Sequence, residues 1–321
     1  MSLKDIKGIG EKTLAKLMEN GISDLRDLAV AKPSDISSIL GISIFRAKQM
    51  IREARDLLLS SKELEVRSGI LYDAERKSRR EFISTGSQKL DQILGGGICT
   101  DSTMLISGEF GSGKTQLCLT SCVNAIGKGY YVAWIETEPD SIDINRLNEI
   151  ASSRNVNNVL NNFFIIPASE ISDPRDQYLA YEKVIRKFDS EQLPLKVFVV
   201  DSFMAKFRST FLGRETYTER AQELMDHIGK LQEIASKFSC AVLATTPVMG
   251  VPDMSLQLEA KVHFGIDKRP YGGDALLHSF SKVLILQHKA TDKWSATLVD
   301  SSYLPRATAE FTITKAGIVD V

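Results

Sequence analysis

A glycine-rich segment near the middle of the chain constrains the fold more than any other feature. It reads Gly108-Glu109-Phe110-Gly111-Ser112-Gly113-Lys114-Thr115 and fits the spacing G-x-x-x-x-G-K-[ST] at every fixed position. The apolar run 103–107 predicts a strand before it, and residues 116–123 predict a helix after it. Glycines let such a loop turn tightly and aim several N–H groups at one point, next to a helix N-terminus. The sequence therefore predicts a nucleoside triphosphate site, with ATP as the expected nucleotide.

The side chains that follow the glycines have separate roles in such a site. Lys114 reaches the β- and γ-phosphates, and the Thr115 hydroxyl binds Mg²⁺. We expect the whole stretch from Gly108 to Gln116 to line the nucleotide. An ordinary glycine-rich turn is the alternative, which the placement of Lys114 and Thr115 between strand and helix disfavours.

Composition excludes several classes of protein. The chain has 321 residues, of which 43% are hydrophobic and 25% charged, as in a soluble globular protein with one large or two unequal domains. It contains neither an apolar run of about 18 residues nor a signal peptide, so we expect a cytoplasmic, nucleoid-associated protein without a membrane partner. The net charge of −1 gives no global sign of nucleic-acid binding, so any such surface is local. Cys118 and Cys122 are predicted to be reduced core thiols rather than a metal pair.

The first 60 residues contain two similar helical hairpins. Residues 5–17 read as a helix, a Gly-Ile-Gly turn and a second helix, and residues 39–51 are a weaker copy. The pair resembles a helix-hairpin-helix domain, whose hairpin N–H groups meet DNA phosphates without reading sequence. Basic residues lie where such contacts need them: Lys12, Lys16, Arg46 and Lys48. A small protein-binding or spacer bundle is the alternative.

Residues 61–82 change character and predict a linker or docking segment. The stretch is rich in charge, and it contains a short apolar island at 69–74 that is too small to bury itself. We therefore expect the island to pack against a neighbour.

Residues 83–321 alternate short apolar strands with helices, which predicts an α/β domain with a largely parallel central sheet. Two of the strands end in acids, Glu138 and Asp201. Ligands of open α/β sheets lie at the carboxyl ends of strands, so both acids are expected to face the same cleft as Lys114. Asp201 suits Mg²⁺ binding beside Thr115, and Glu138 suits a base that polarises the attacking water. A helix N-cap and a surface acid are their respective alternatives.

The ordered motifs resemble those of archaeal RadA and its eukaryotic relatives, DNA strand-exchange proteins of the RecA-type ATPase superfamily, over nearly the full length. After the two hairpins and the phosphate loop, the series continues with Thr137-Glu138, Val200-Asp201-Ser202, Phe207-Arg208, Gly213-Arg214, Glu219-Arg220, Gly272-Gly273, Asp300-Ser301 and Leu304-Pro305. A phosphate loop alone indicates only a superfamily, whereas the series indicates this branch. The resemblance implies a RecA-like P-loop ATPase core with a small all-α helix-hairpin-helix domain, using ATP and Mg²⁺.

The resemblance also assigns further binding residues. It implies that Arg146 stacks on adenine and that Asp300 caps ATP held by the adjacent subunit. The first DNA loop would carry Arg208, Arg214 and Arg220, and residues around 249–274, including Gly272 and Gly273, would form the second. Guanidinium groups grip phosphates with fork geometry, and a flexible loop can lie among splayed bases. Solvated arginines are the alternative.

Leu71 and Ala74 match the family's short F-x-x-A polymerisation element. In the family this element adds a strand to the next subunit's sheet and inserts two small apolar anchors. Such head-to-tail contacts do not close, so they generate helical filaments. Leucine stands here in place of the usual phenylalanine, which predicts a different pocket or a weaker contact.

The chain departs from the family at the residue that follows Ala244-Thr245-Thr246. The family has a glutamine there, which senses the γ-phosphate and relays it to the second DNA loop, and this chain has Pro247. A proline side chain has no donor, so the coupling between ATP and DNA is expected to differ. Further departures are Pro139, Val283 and Ser302.

Two functions remain open at this point. The first is a DNA-dependent ATPase that polymerises on single-stranded DNA and pairs it with homologous double-stranded DNA. The alternative is a recombinase paralogue that binds ATP, hydrolyses it slowly and acts as a mediator of another recombinase of the family. The hairpins, the island and the arginines favour the first, and Pro247 favours the second. A ring-shaped motor is disfavoured by the motif series.

Overall fold

A computed structural model describes residues 2–60 and 66–321 of the chain. The chain forms two compact units, Met1–Glu75 and Arg76–Val321. Residues 61–65 of the predicted linker lie outside the described residues, and 66–82 contribute to both units. No helix of the described part is long and apolar enough to cross a lipid bilayer.

The first unit is helical. Its helices are α1 (Glu11–Glu19), α2 (Leu25–Val30), α3 (Pro33–Leu40), α4 (Ile44–Ser60) and the start of α5 (Gly69–Arg79). The second predicted hairpin is present, since Gly41 ends α3 in the left-handed region at φ 65° and α4 begins three residues later. The first hairpin differs from the prediction because its first helix is only a 3-10 turn, Leu3–Asp5. That turn is enough to bury Leu3 and Ile6, three residues apart, in the unit's core.

The apolar island forms a helix in the single chain rather than the strand that the resemblance implies for an assembly. It lies in α5, which is rich in good helix formers and has Arg76, Lys77 and Arg79 in its last turn, where the helix dipole favours cations. Ile70 and Leu71 are 84% and 58% exposed. Strand addition to another copy would therefore require the start of α5 to unwind.

The second unit alternates strands and helices as predicted. Its elements are β1 (Phe82–Ile83), α6 (Gln88–Ile93), β2 (Ile98–Cys99), β3 (Ser102–Gly108), α7 (Lys114–Ile126), β4 (Tyr131–Glu136), α8 (Ile144–Ser153), β5 (Phe163–Ile166), α9 (Pro174–Glu191), β6 (Leu195–Asp201), α10 (Ala205–Thr210), α11 (Tyr217–Phe238), β7 (Ala241–Gly250), α12 (Met254–Phe264), β8 (Lys268–Pro270), α13 (Gly273–Ser279), β9 (Lys282–Ala290), β10 (Lys293–Ser301), β11 (Ala307–Thr314) and β12 (Gly317–Asp320).

The main sheet is largely parallel, which confirms the predicted fold class. Its order is β12-β11-β10-β9-β3-β7-β6-β4-β5, and β8 pairs with the end of β7. The strands from β9 to β5 in that order are parallel to their neighbours, whereas β10, β11 and β12 extend the sheet by antiparallel pairing. The carboxyl ends of β3, β7, β6 and β4 consequently lie side by side at one edge.

Both faces of this sheet are covered, so its strands are apolar almost throughout. Successive side chains of β3 and β4 alternate between two cores: Ile106 and Trp134 pack on the α7 side, and Leu105 and Ile135 pack on the α9 and α11 side. Cys118 and Cys122 are buried in the first of these cores. The helices therefore cover both faces of the sheet, and a ligand can reach it at the loops that follow the carboxyl ends of its strands.

Candidate functional site

The phosphate loop connects β3 to α7 at the carboxyl edge of the sheet. Gly111 and Gly113 have φ values of 73° and 91°, which only glycine adopts without strain. At Gly108 the limit is space, because an added Cβ would lie 2.5 Å from the backbone carbonyl oxygen of Leu286. The glycine spacing of the motif is therefore a requirement of this backbone.

Lys114 folds back onto the loop that precedes it. Its Nζ donates to the carbonyl oxygens of Gly108 and Glu109, at 3.0 and 2.9 Å. Burial lowers the pKa of the Lys114 amine, and the negative charges of Asp201 and Glu138 oppose this effect. An anion placed in the loop would compete with the two carbonyls for this amine.

Thr115 and Asp201 are in direct contact. The Thr115 hydroxyl donates to Oδ2 of Asp201 at 2.7 Å, and the Thr245 hydroxyl donates to Oδ1. Asp201 is almost fully buried, and burial raises the pKa of its carboxyl group, although both hydroxyls and the Lys114 charge favour the ionised form. Thr245 was not given a role from the sequence, because nothing local links it to a residue 44 positions earlier.

Three features of the loop fit a phosphate and its metal ion. The Ser112 hydroxyl is buried and lacks a hydrogen-bond partner among the described residues. The N-terminus of α7 has Gly113 at its N-cap, so no side chain caps its first N–H groups, which are suited to an anion. The hydroxyl of Thr115 and the carboxylate of Asp201 are oxygen ligands of the kind Mg²⁺ prefers.

Glu138 lies just beyond the end of β4 and contacts Arg208. The Nη2 of Arg208 is 3.3 Å from Oε1 of Glu138, and the two side chains are 53% and 47% exposed. The residue before the acid is firmly held, since the Thr137 N–H donates to the Asp201 carbonyl at 3.0 Å and its hydroxyl donates to the Ser202 carbonyl at 2.6 Å. The predicted base and a predicted DNA-loop arginine are thus neighbours.

Glu136 supports the turn that carries Glu138. It is 7% exposed, and its carboxylate accepts backbone N–H groups from Ser141, Ile142 and Ala168 at 3.1, 3.3 and 3.2 Å. These bonds tie the turn after β4 to the segment after β5. No pattern in the sequence indicates this role, because a strand-end acid and its distant N–H partners have no recognisable spacing.

Arg146 is held between α7 and the C-terminal strands. Its Nε donates to Oε1 of Gln116 at 2.8 Å, and its Nη atoms contact Glu149 and the carbonyls of Thr314 and Lys315. The guanidinium group is therefore positioned beside the residue that follows the phosphate loop.

Asp300 lies near the amino-terminal end of β9, whereas the phosphate loop follows the carboxyl end of the neighbouring strand β3. It pairs with Val283 at the start of β9, whereas the loop follows Gly108, which pairs with Leu286 further along β9. The Asp300 carboxylate is exposed, 3.9 Å from the ring of His278. Its strand partner Val283, one of the departures from the family, is fully buried in the core.

The predicted second DNA loop is more structured than expected. Residues 249–274 include α12 and the ribbon of β7 and β8, in which Met249 pairs with Arg269. Gly272 has φ 124°, a backbone conformation in which any residue with a side chain is strained. Gly273 begins α13 with φ 78°.

The two predicted DNA loops meet. The Arg220 guanidinium carbon lies 5.2 Å from the ring centroid of Tyr271, which precedes Gly272. Arg214 belongs to a 3-10 turn, Arg214–Thr216, and its side chain lies outside the described part.

The predicted DNA-binding residues of the first unit differ in their contacts. Lys12, Lys16 and Lys48 are exposed. Arg46 instead donates to the Lys7 carbonyl, so it braces one hairpin against the other.

Pro247 stands beside the phosphate loop without a side-chain donor. It pairs with Gly108 across β3 and β7, and its carbonyl accepts the Tyr271 N–H at 2.8 Å. A different contact joins the loop to the β8 ribbon, because Lys268 forms an ion pair with Glu109. The sequence did not indicate this pair, which spans 159 positions.

Trp294 braces the phosphate loop from β10. Its Nε1 donates to the Gly111 carbonyl at 3.2 Å, and the His288 ring stacks on it with centroids 4.7 Å apart. The structure therefore places this tryptophan against the phosphate loop.

The comparisons with known proteins agree with this arrangement. A family model described as Rad51 matches residues 76–321, and one described as a SAM-like helix-hairpin-helix tandem matches residues 1–56. The chain is 34% identical over 330 residues to the DNA repair and recombination protein RadA of Metallosphaera sedula, covering 99% of this chain and 95% of the relative. The Rad51 model covers more than half of the chain, and the chain therefore belongs to the Rad51 family.

Proposed function

We propose that this protein is an ATP-dependent DNA recombinase that assembles on single-stranded DNA and pairs it with homologous double-stranded DNA. One observation carries the proposal: the phosphate-loop residues, the Thr115–Asp201 pair and Glu138 converge at one sheet edge, and Glu138 contacts Arg208 of the first DNA loop. A site for nucleotide and a site for DNA that share a contact are what DNA-dependent hydrolysis needs. Membership of the Rad51 family supports the same function.

The residues of the site suit ATP hydrolysis. Lys114 leaves the carbonyls of Gly108 and Glu109 and neutralises the β- and γ-phosphates. Mg²⁺ held by Thr115 and Asp201 would add positive charge at the same oxygens. Glu138 orients a water, whose oxygen bonds to the γ-phosphorus while the bond to the β,γ-bridging oxygen breaks. The water's proton passes to the Glu138 carboxylate, and ADP and phosphate are released.

Assembly and DNA binding use other parts of the chain. Asp300 lies near the amino-terminal end of β9, away from its own phosphate loop, so it suits a role as the cap of ATP held by another copy. Leu71 and Ala74 are exposed and suit the head-to-tail contact of a helical filament. The exposed lysines of the hairpins and Arg220 beside Tyr271 suit binding to DNA phosphates, which would place the protein on the DNA of the cytoplasm.

The test is ATP hydrolysis by the purified full chain, with and without single-stranded DNA, over a range of salt concentrations. We expect stimulation by DNA that weakens as salt rises, because salt competes for the phosphate contacts. Lys114→Ala should abolish nucleotide binding or turnover, and Glu138→Gln should bind ATP without hydrolysing it. Full turnover in either variant would contradict the assigned site.

A recombination mediator is the second candidate, and Pro247 favours it. This residue lies beside Gly108, where it offers no side-chain donor to a γ-phosphate. A mediator would bind ATP tightly, turn it over slowly without response to DNA, and act by joining another recombinase of the family. The same assay separates the two candidates, since only the recombinase is stimulated by DNA.

A further inference from the structure

The contact between Arg208 and Glu138 occurs at a fixed position rather than between two loose surface side chains. Arg208 lies on α10, which begins four residues after Asp201. The helix is anchored by Phe207, which is fully buried and packs 4.9 Å from the His227 ring and 5.9 Å from the Phe203 ring. The next residue, Arg208, therefore faces outward from a rigid base.

The backbone that carries the acid is held as well. Thr137 is bonded to the end of β6, and Glu136 holds the turn that follows, so the backbone on both sides of Glu138 is anchored. The two groups meet through Oε1 of Glu138 at 3.3 Å. The negative charges of Glu138 and Asp201 both raise the pKa of the Lys114 amine, against the effect of its burial.

The ion pair and the assigned catalytic step compete for the same carboxylate. A hydrogen bond to a guanidinium group is charge-assisted and stronger than one between neutral groups. An oxygen of Glu138 that accepts this bond is turned toward Arg208 rather than toward an attacking water. While it is paired with Arg208, Glu138 is therefore less able to accept a proton from the attacking water.

DNA offers Arg208 a better partner. Phosphate oxygens bind guanidinium groups in fork geometry, and each phosphate brings a full negative charge. The Glu138 pair is half exposed, so little desolvation opposes the exchange. Arg208 can move to a DNA phosphate and leave Glu138 free.

We infer that Arg208 is a positioning residue that restrains Glu138 in the absence of DNA and releases it when DNA phosphate binds the guanidinium group. This inference rests on the proposed function, because it takes Glu138 as the base and DNA as the ligand. Under this inference, DNA stimulates ATP hydrolysis through Arg208 and Glu138, without a role for residue 247.

The test is the basal ATPase rate of Arg208→Gln, measured on the full chain freed of nucleic acid. An exposed ion pair contributes up to about 1 kcal/mol, so we expect the basal turnover number to rise about twofold to fivefold with an unchanged KM for ATP. Stimulation by single-stranded DNA should fall by the same factor. A lost DNA contact without a restraint would instead leave the basal rate where it was, or lower it.

Three further variants make the result specific. Arg208→Lys keeps the charge and should stay close to the wild-type basal rate. Lys206→Gln removes a cation from the same helix, two residues away, and should leave the basal rate unchanged. The double variant Glu138→Gln/Arg208→Gln should be as inactive as Glu138→Gln, and ATP hydrolysis by it would show that the gain does not pass through Glu138.

The outcomes separate this inference from the proposed function. A basal rate of Arg208→Gln equal to or below that of wild type overturns the restraint, even where wild type responds to DNA. A raised basal rate in a protein that DNA does not stimulate supports the restraint and contradicts the recombinase. A basal rate raised equally by Lys206→Gln would assign the effect to general charge and overturn the role of Arg208.

Discussion

Replacing Glu136 tests how the turn that carries Glu138 is held. In Glu136→Ala, the buried N–H of Ala168 loses its partner, which costs about 1–3 kcal/mol. The N–H groups of Ser141 and Ile142 are partly accessible, so water replaces the carboxylate there and each loss costs roughly 0.5–1 kcal/mol. The free energy of unfolding of the ATPase unit should therefore fall by about 2–5 kcal/mol.

Calorimetry or a dye-based melting assay measures this directly. For a unit of about 250 residues, each kcal/mol lowers the melting temperature by about 2–4 °C, so we expect a loss of about 4–20 °C. The melting temperature of Glu136→Gln should lie between those of wild type and Glu136→Ala. Its amide oxygen can still accept from the N–H groups of Ser141 and Ile142, but its amide NH₂ group cannot accept from the Ala168 N–H. The turnover number should also fall in Glu136→Ala, since the turn no longer fixes Glu138.

Glu191→Ala is the matched control, because Glu191 is an exposed acid of α9 whose ion pair with Lys187 is a surface contact. It should melt at the wild-type temperature. The reasoning is refuted if Glu136→Ala melts with wild type, or if the control is destabilised to the same extent.

Three further predictions concern other parts of the chain. Leu71→Glu should lower the mass of assemblies measured by light scattering, whereas Val30→Glu, at another exposed apolar residue, should not; equal masses for Leu71→Glu and wild type would remove this contact. Lys196, followed by Tyr130, lowers the pKa of Glu81 below its ordinary value of 4.5, so the pair stabilises the fold above that pH and the benefit is lost as pH falls below it. Glu81→Gln should therefore show a shallower loss of stability in acid, and identical acid profiles would contradict the pairing. Lys268→Gln should weaken the effect of bound nucleotide on hydrogen exchange in residues 249–271, and an unaltered response would mean that its pair with Glu109 carries no coupling.

The sequence predicted the parts of this molecule that depend on local pattern. Apolar runs ending in acids predicted the parallel strands, and the phosphate-loop spacing predicted the turn between β3 and α7. The antiparallel strands β10–β12 were not distinguished from the rest, because apolar alternation does not reveal strand direction.

What the sequence missed depends on contacts between distant residues. Thr245, Lys268 and Trp294 each reach the nucleotide loop or its acid from strands far along the chain, and no spacing rule connects such pairs. The helix at Leu71 was also not predicted, since its helix propensity acts in the single chain, whereas the strand that the resemblance implies needs a partner copy.

The position of Trp294 provides an optical probe of the nucleotide loop. The chain has two tryptophans, and Trp134 is fully buried in the sheet core, out of reach of a soluble quencher. Trp294 is partly exposed, bonded to Gly111 and stacked on His288, so its emission depends on the conformation of the loop. Acrylamide should quench Trp294 and spare Trp134, and a Trp134→Phe protein would report loop movement in real time without any attached dye.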